Sequence, residues 1–382
     1  MNKFLIIVII FISISSNISA NPNIKARTGI LIDYHTNKVL FELNPDDEIY
    51  PASMTKIMTS IVAFDLLKKN KLSLDDKFTI SENAWRLSQA GYSSMFIMIN
   101  DQVSVEDLLK GIIIASGNDA CIALAEGIAG SESNFADMMN EKAIEIGMTS
   151  SNFTNSSGIN DPDNISTVRD IAIMSKYLIK NYPIFYELFA EKTFTWDRTG
   201  GEPIKQGNRN PLLYKNVGVD GVKTGYLAVE KYSLASSMKK NDRRLIAVAS
   251  GFDTKNLRSS ESLKLLNWGF RNTNTFEIST KEKTFFELDT WLGSRNKIKA
   301  TTKEDYFLTI NKKDISHLTV SLEYSGPIKA PIKKGTQVAN LVVSMKEDQI
   351  KKLPLYASED LKKVNFFKSL LTSLNYLVWG DV

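Results

Sequence analysis

The 382-residue chain has one cysteine, Cys121, and two histidines, His35 and His317. A single thiol excludes an intrachain disulfide and leaves too few sulfur ligands for a cysteine-held metal site, so no metal is expected and Cys121 reads as a small buried hydrophobe. Two histidines offer little scope for a Ser-His-Asp triad. His35 falls in the hairpin turn Asp33-Tyr34-His35-Thr36-Asn37-Lys38, and His317 stands far downstream before a strand pattern, so both read as surface residues. A nucleophilic serine in this chain would need a different base.

A strong charge bias is also missing. The formal net charge is +4 and is spread along the chain, which describes a solvated surface and no nucleic-acid partner. With 43% hydrophobic and 24% charged residues, the composition is that of a globular protein with room for two cores. No apolar run reaches the ~20 residues that span a bilayer as a helix. The longest, Phe4 to Ile14, follows Lys3 and precedes the small residues Ser15-Ser16-Asn17-Ile18-Ser19-Ala20. Residues 1–20 therefore read as a signal peptide cut after Ala20, with an uncleaved anchor as the rival reading. An exported protein with one cysteine is no contradiction, since an unpaired thiol needs no partner.

The periodic segments are informative. Gly29–Asp33 and Val39–Leu43 flank the His35 turn as a β-hairpin. From Ser53, the residues Met54, Ile57, Met58, Ile61, Val62 and Leu66 recur at helical spacing as far as Lys68-Lys69-Asn70. Further helices are expected from Ser104 to Ile113, from Asp119 to Ala129, from Glu132 to Ile146 and from Val168 to Lys180. Strand patterns return at Gly221–Tyr226, Tyr232–Met238 and Arg244–Ser250, and a helix through Leu263, Leu266, Trp268 and Phe270 follows. Helices packed on an antiparallel sheet drawn from both ends of this region make an α+β domain.

Beyond residue 278 the texture changes to short strands: Phe285–Leu288, Tyr306–Ile310, Leu318–Tyr324 and Val338–Met345. Leu318, Val320, Leu322 and Tyr324 alternate with polar residues as a half-buried strand would. In the last segment, Phe366, Phe367, Leu370, Leu371, Leu374, Leu377 and Val378 fall on one helical face. That pattern suits a helix lying in a membrane interface with Tyr376 and Trp379 at headgroup level; a helix docked on the β domain is the alternative.

Three short motifs carry chemistry. Ser53-Met54-Thr55-Lys56 puts a hydroxyl and an amine three residues apart at a helix start, on one face, where the amine can take the hydroxyl's proton. Ser116-Gly117-Asn118 lies between two helices, and Lys223-Thr224-Gly225 lies in a strand. Each alone is a weak signal, since a serine can merely cap a helix and a lysine can be a surface charge. Together, in this order, they resemble the set shared by penicillin-binding proteins and class A β-lactamases, with Gly117 where that set has an aspartate.

The chain resembles the D-alanyl-D-alanine carboxypeptidases, the low-molecular-mass penicillin-binding proteins. The likeness extends to Tyr50-Pro51-Ala52, to Asp119-Ala120-Cys121, to Asn208-Arg209-Asn210 and to Gly218-Val219-Asp220-Gly221-Val222. It implies a serine transpeptidase-like, β-lactamase-like catalytic domain over 21–277, a small all-β domain over 278–360 and an amphipathic anchoring helix over 361–382. It also implies a periplasmic enzyme held on the outer face of the cytoplasmic membrane, acting on peptidoglycan stem peptides without a cofactor and acylated by β-lactam antibiotics.

By the same resemblance Ser53 is the nucleophile, Lys56 its base, Ser116 a proton relay and Asn118 a contact to the substrate amide that helps hold Lys56. Lys223 and Thr224 face the substrate carboxylate with Arg209 further off, and Gly225 allows a close backbone approach. Ser53 and Tyr226 supply the oxyanion N–H groups. A free lysine titrates at about 10.4, so Lys56 needs a depressed pKa, from burial and from a nearby cation such as Lys223. Glu230 and Lys231, where the family has small residues, are expected to pair with each other or face solvent. A serine β-lactamase, with Asp161-Pro162-Asp163-Asn164 as its only acidic loop, and a non-catalytic wall-binding protein are the rival readings.

Overall fold

The structure is a computed structural model that describes residues 21–159, 161–346 and 348–379; the expected signal peptide lies outside the described residues. At its centre is a five-stranded antiparallel sheet in the order Val39–Leu43, Thr28–Asp33, Arg243–Phe252, Lys231–Lys240, Val219–Leu227. Strands from both ends of the helical region meet because Thr28–Asp33 pairs with Arg243–Phe252, Ile30 opposite Val248.

Both faces of this sheet are covered, and the period-two alternation shows what covers each. Ile30, Ile32, Ile246 and Val248 point into a large helical cluster that includes Met58, Ile61 and Phe64 of the helix Lys56–Lys68. Leu31, Leu245, Ala247 and Ala249 point the other way, onto Leu265 and Leu266 of the helix Lys255–Asn272. The expected helices form and are capped by their own side chains and glycines: the Ser104 side chain accepts the Asp107 N–H, Thr167 accepts that of Asp170, and Gly147 closes Glu132–Ile146 in the left-handed conformation.

The β region has a two-stranded ribbon, Thr273–Ser279 with Tyr306–Asn311, and a six-stranded sheet. Its core of Leu288, Ile298, Leu341, Leu353 and Leu355 is separate from the other two clusters. Lys297–Thr301 and Asp348–Ala357 are strands that the sequence reading missed. The strand Leu318–Glu323 corrects an expectation: among the described residues it pairs only with Gln337–Met345 at the sheet edge, and Val320 and Leu322 are exposed.

His35 is corrected as well. It is half-buried, its ring 4.8 Å from that of Phe307, at a seam where Thr36 Oγ1 meets Thr309 Oγ1 at 2.8 Å. The terminal helix runs Phe366–Trp379, and its Phe366, Phe367, Leu370, Leu371, Leu374, Leu377 and Val378 side chains are all at least half exposed. No helix among the described residues is long and apolar enough to cross a membrane.

Candidate active site

The nucleophile candidate sits on a tight turn. Ala52–Thr55 is a 3₁₀ turn that passes directly into the helix Lys56–Lys68, with Ala52 at φ +49°. This helix is apolar or small nearly all round and runs through the main core, which is why Lys56, at its first position, is 1% exposed. Lys56 Nζ lies 3.1 Å from Ser53 Oγ, 2.6 Å from Asn118 Oδ1 and 2.6 Å from the Ser157 carbonyl.

Ser116 follows a π-turn, Gly111–Ala115, and takes φ +62°, a conformation sparsely used by residues with a side chain. Asn118 then opens the helix Asn118–Ala129, one residue earlier than expected. The fully buried Asp119 carboxylate ties this corner down. It accepts bonds from Ser94 Oγ at 2.6 Å and from the backbone N–H groups of Met95 and Phe96, each at 2.8 Å. A Cβ at Gly117 would come within 3.0 Å of the Met95 nitrogen, so a side chain there would push against the same segment.

The third motif comes from the sheet-edge strand Val219–Leu227. Lys223, 3% exposed, donates to Ser116 Oγ at 2.8 Å, joining the second and third motifs. A Cβ on Gly225 would meet Ser233 Oγ at 2.4 Å and the Pro51 carbonyl at 2.8 Å. Gly225 therefore lets the strand lie against the Ser53 turn itself, a reason beyond substrate access.

Ser53, Ser116, Thr224, Tyr226, Arg209 and Arg258 share the lining of one cleft of about 590 Å³, a volume suited to a small peptide. Arg209 reaches it with Nη2 3.3 Å from Gln206 Oε1. Among the described residues no carboxylate lines this cleft. Asp161 instead caps its own loop by accepting the Asp163 N–H, and Asn164 is buried against Thr55 Oγ1. A second cavity of equal volume, beside Ile32 and Lys176, holds none of the motif residues.

Burial pushes the Lys56 ammonium below its ordinary value, while Asp119 and Glu132 pull it back up. Lys223 is held well below its ordinary value by burial first, then by the charges of Lys56, Arg209 and Arg258. The repulsion is mutual, so a charge on either lysine disfavours a charge on the other, on top of the desolvation that lowers both. Burial also pushes the Cys121 thiol up to about 12, so it stays a neutral donor to the Gly117 carbonyl, 3.2 Å away.

Four functional candidates escaped the sequence reading. Ser157 contributes only a carbonyl, which any residue has. Asp119 was visible beside the second motif, without a hint of its five-donor clamp. Arg258 is 9% exposed and its Nε has no hydrogen-bond partner among the described residues. Glu230, expected on the surface or paired with Lys231, is 5% exposed and salt-bridged to Arg27 at 2.7 Å, while Lys231 pairs with Asp253.

Comparison with known proteins gives a family model described as D-alanyl-D-alanine carboxypeptidase over residues 15–254, and one described as penicillin-binding protein 5, C-terminal domain, over residues 274–363. D-alanyl-D-alanine carboxypeptidase DacC of Escherichia coli is 40% identical over 351 residues, covering 91% of this chain and 86% of that protein. Penicillin binding protein 5 from Haemophilus influenzae superposes with a TM-score of 0.75 at 38% identity, over 90% of this chain and 99% of that one. Penicillin-Binding Protein D2 from Listeria monocytogenes, in its ampicillin-bound form, matches at a TM-score of 0.59 and 26% identity over 66% of this chain and 100% of that one.

Proposed function

Because the chain belongs to the D-alanyl-D-alanine carboxypeptidase family, we propose that its three motifs divide the work of a serine acyl transfer on peptides ending in D-Ala-D-Ala. The enzyme class is a serine-type carboxypeptidase of the penicillin-binding group. The observation that carries the division of roles is the environment of Lys56. A neutral amine has two N–H bonds and one lone pair. The two 2.6 Å acceptors, Asn118 Oδ1 and the Ser157 carbonyl, take the N–H bonds and leave the lone pair for the Ser53 hydroxyl.

Ser53 Oγ attacks the carbonyl carbon of the last peptide bond as its proton passes to Lys56. The developing oxyanion is held by the backbone N–H groups of Ser53 and Tyr226. Lys223 donates to Ser116 Oγ, which leaves the Ser116 hydroxyl hydrogen free to protonate the departing amine; Lys56 returns its proton through the same hydroxyl. The C–N bond breaks, D-alanine leaves, and water hydrolyses the acyl-serine. Thr224 meets the substrate carboxylate, and the two guanidinium groups of Arg209 and Arg258 in the same cleft lining supply the positive charge that supports that assignment. Asn118 also meets the substrate amide.

β-Lactams acylate the same serine and leave slowly, since among the described residues the cleft lining has no carboxylate to activate water. The chain divides into an export signal over 1–20, the catalytic domain over 21–277, the β domain over 278–360 and a membrane-surface helix over 361–382. The exposed apolar row on Phe366–Trp379 supports the last assignment and, with it, a periplasmic enzyme held at the outer face of the cytoplasmic membrane. The test is to label the protein with a penicillin and map the adduct by peptide mass. A stable adduct on Ser53 is expected. Rapid penicillin turnover would favour a β-lactamase, and an adduct elsewhere would refute the assignment.

A further inference from the structure

Glu230 lies in the three-residue turn that joins the motif strand Val219–Leu227 to its neighbour Lys231–Lys240. A tight hairpin tip is normally solvated, yet this carboxylate is buried and gathers three separate parts of the chain. Arg27 Nη2 donates to both of its oxygens, at 2.8 and 2.7 Å. Ser250 Oγ, from the strand Arg243–Phe252, donates at 2.6 Å. The Tyr50 backbone N–H donates at 3.3 Å, three residues before the nucleophile.

The tip also contains a cost. Lys231 has φ +65°, in the left-handed region that non-glycine residues occupy rarely. Its exposed ion pair with Asp253 contributes little to holding it there. The buried Glu230 cluster is the stronger constraint, because breaking a buried carboxylate from its partners is costly.

We propose that Glu230 is a positioning residue for acylation: by tying Tyr50 directly, and the Glu48 carbonyl through Arg27, to the hairpin tip, it sets how closely the Ser53 turn lies against the motif strand. Gly225 already shows the fit to be tight, since a methyl group on its Cα would meet the Pro51 carbonyl at 2.8 Å and the Ala52 Cβ at 3.3 Å. The two backbone N–H groups assigned to the oxyanion, Ser53 and Tyr226, lie one on each side of that contact. The cleft rim is part of the same unit: the Tyr226 ring is 4.5 Å from that of Tyr232, and both line the cleft. Donors that must sit within a few tenths of an ångström of a developing charge lose most of their effect when the frame loosens.

This inference rests on the serine acyl transfer proposed above, and one experiment separates the two. The acylation rate constant and the preceding dissociation constant are measured for a fluorescent penicillin by stopped flow, on the full chain and its Glu230→Gln and Glu230→Ala variants, per titratable site. Glu230→Ala is expected to lower the acylation rate constant at least tenfold, with the dissociation constant within about threefold. Glu230→Gln, which keeps an acceptor for Tyr50 and Ser250, is expected to recover part of that loss while staying below wild type. The pH profile of acylation should keep its shape in both. Wild-type rate constants per site in Glu230→Gln would overturn the positioning role whatever the melting temperatures, and they decide the matter should Glu230→Ala fail to fold. An unacylated wild type would instead sink the acyl-transfer reading.

Discussion

Gly225→Ala is the sharpest perturbation of the contact between nucleophile and motif strand. The added methyl would stand 2.8 Å from the Pro51 carbonyl oxygen, where ordinary contact begins at 3.4 Å, so turn and strand must part by about 0.6 Å. Ser233 Oγ, at 2.4 Å, must move as well, and its residue is fully buried. Overpacking of this kind costs about 1–3 kcal/mol of stability. The effect on rate should be larger, because oxyanion donors work over about 2.7–3.1 Å and a shift of about 0.6 Å takes one out of range, at a cost on the order of a hundredfold. Denaturant unfolding gives the first number and the penicillin acylation rate constant the second. Acylation within threefold of wild type would refute the reasoning that this glycine sets the approach of strand to nucleophile.

The buried lysines predict a pH dependence of stability. Lys56 has a folded pKa below its ordinary 10.5, so the unfolded chain binds more protons between those two values and stability rises with pH across that window. Lys56→Met should flatten the rise, as seen in chemical unfolding repeated from pH 7 to 10; an unchanged slope would contradict it. Arg258→Met should raise KM for a D-Ala-D-Ala peptide by about tenfold or more, the scale of one charge-assisted hydrogen bond, with little change in melting temperature. A chain ending at Lys363 should stay soluble without detergent and leave membranes, while the full chain sediments with them.

What could be read from the sequence was the chemistry that depends on residue type. Ser53 and Lys56 were visible as a hydroxyl–amine pair at helical spacing, whereas Ser116, Asn118 and Lys223 were visible only through the family resemblance that the three motifs carry in order; the structure brings all five together. The helices and the central strands were visible for a related reason, since their periodic burial follows from packing on two covered sheet faces. The misses have physical causes. The strand Asp348–Ala357 buries Leu353, Leu355 and Ala357 in alternation, but Lys351, Lys352 and Pro354 disguise it. Leu318–Glu323 carries the alternation of a buried strand yet lies at a sheet edge, and pairing order is not local information. Glu230 finds Arg27 across 203 positions, a contact that only the closed sheet creates. The Ser157 carbonyl is a backbone group with no signature of its own.

Every role assigned to this cleft depends on Ser53, activated by a deprotonated Lys56, cleaving the terminal D-alanine from its substrate. The deciding quantity is free D-alanine released from a peptide ending in D-Ala-D-Ala, by the wild-type protein and by Ser53→Ala at equal folded concentration. Steady release by the wild type and none above background by the variant is the expected result. Release that survives in Ser53→Ala, or is absent from a folded wild type, would contradict it.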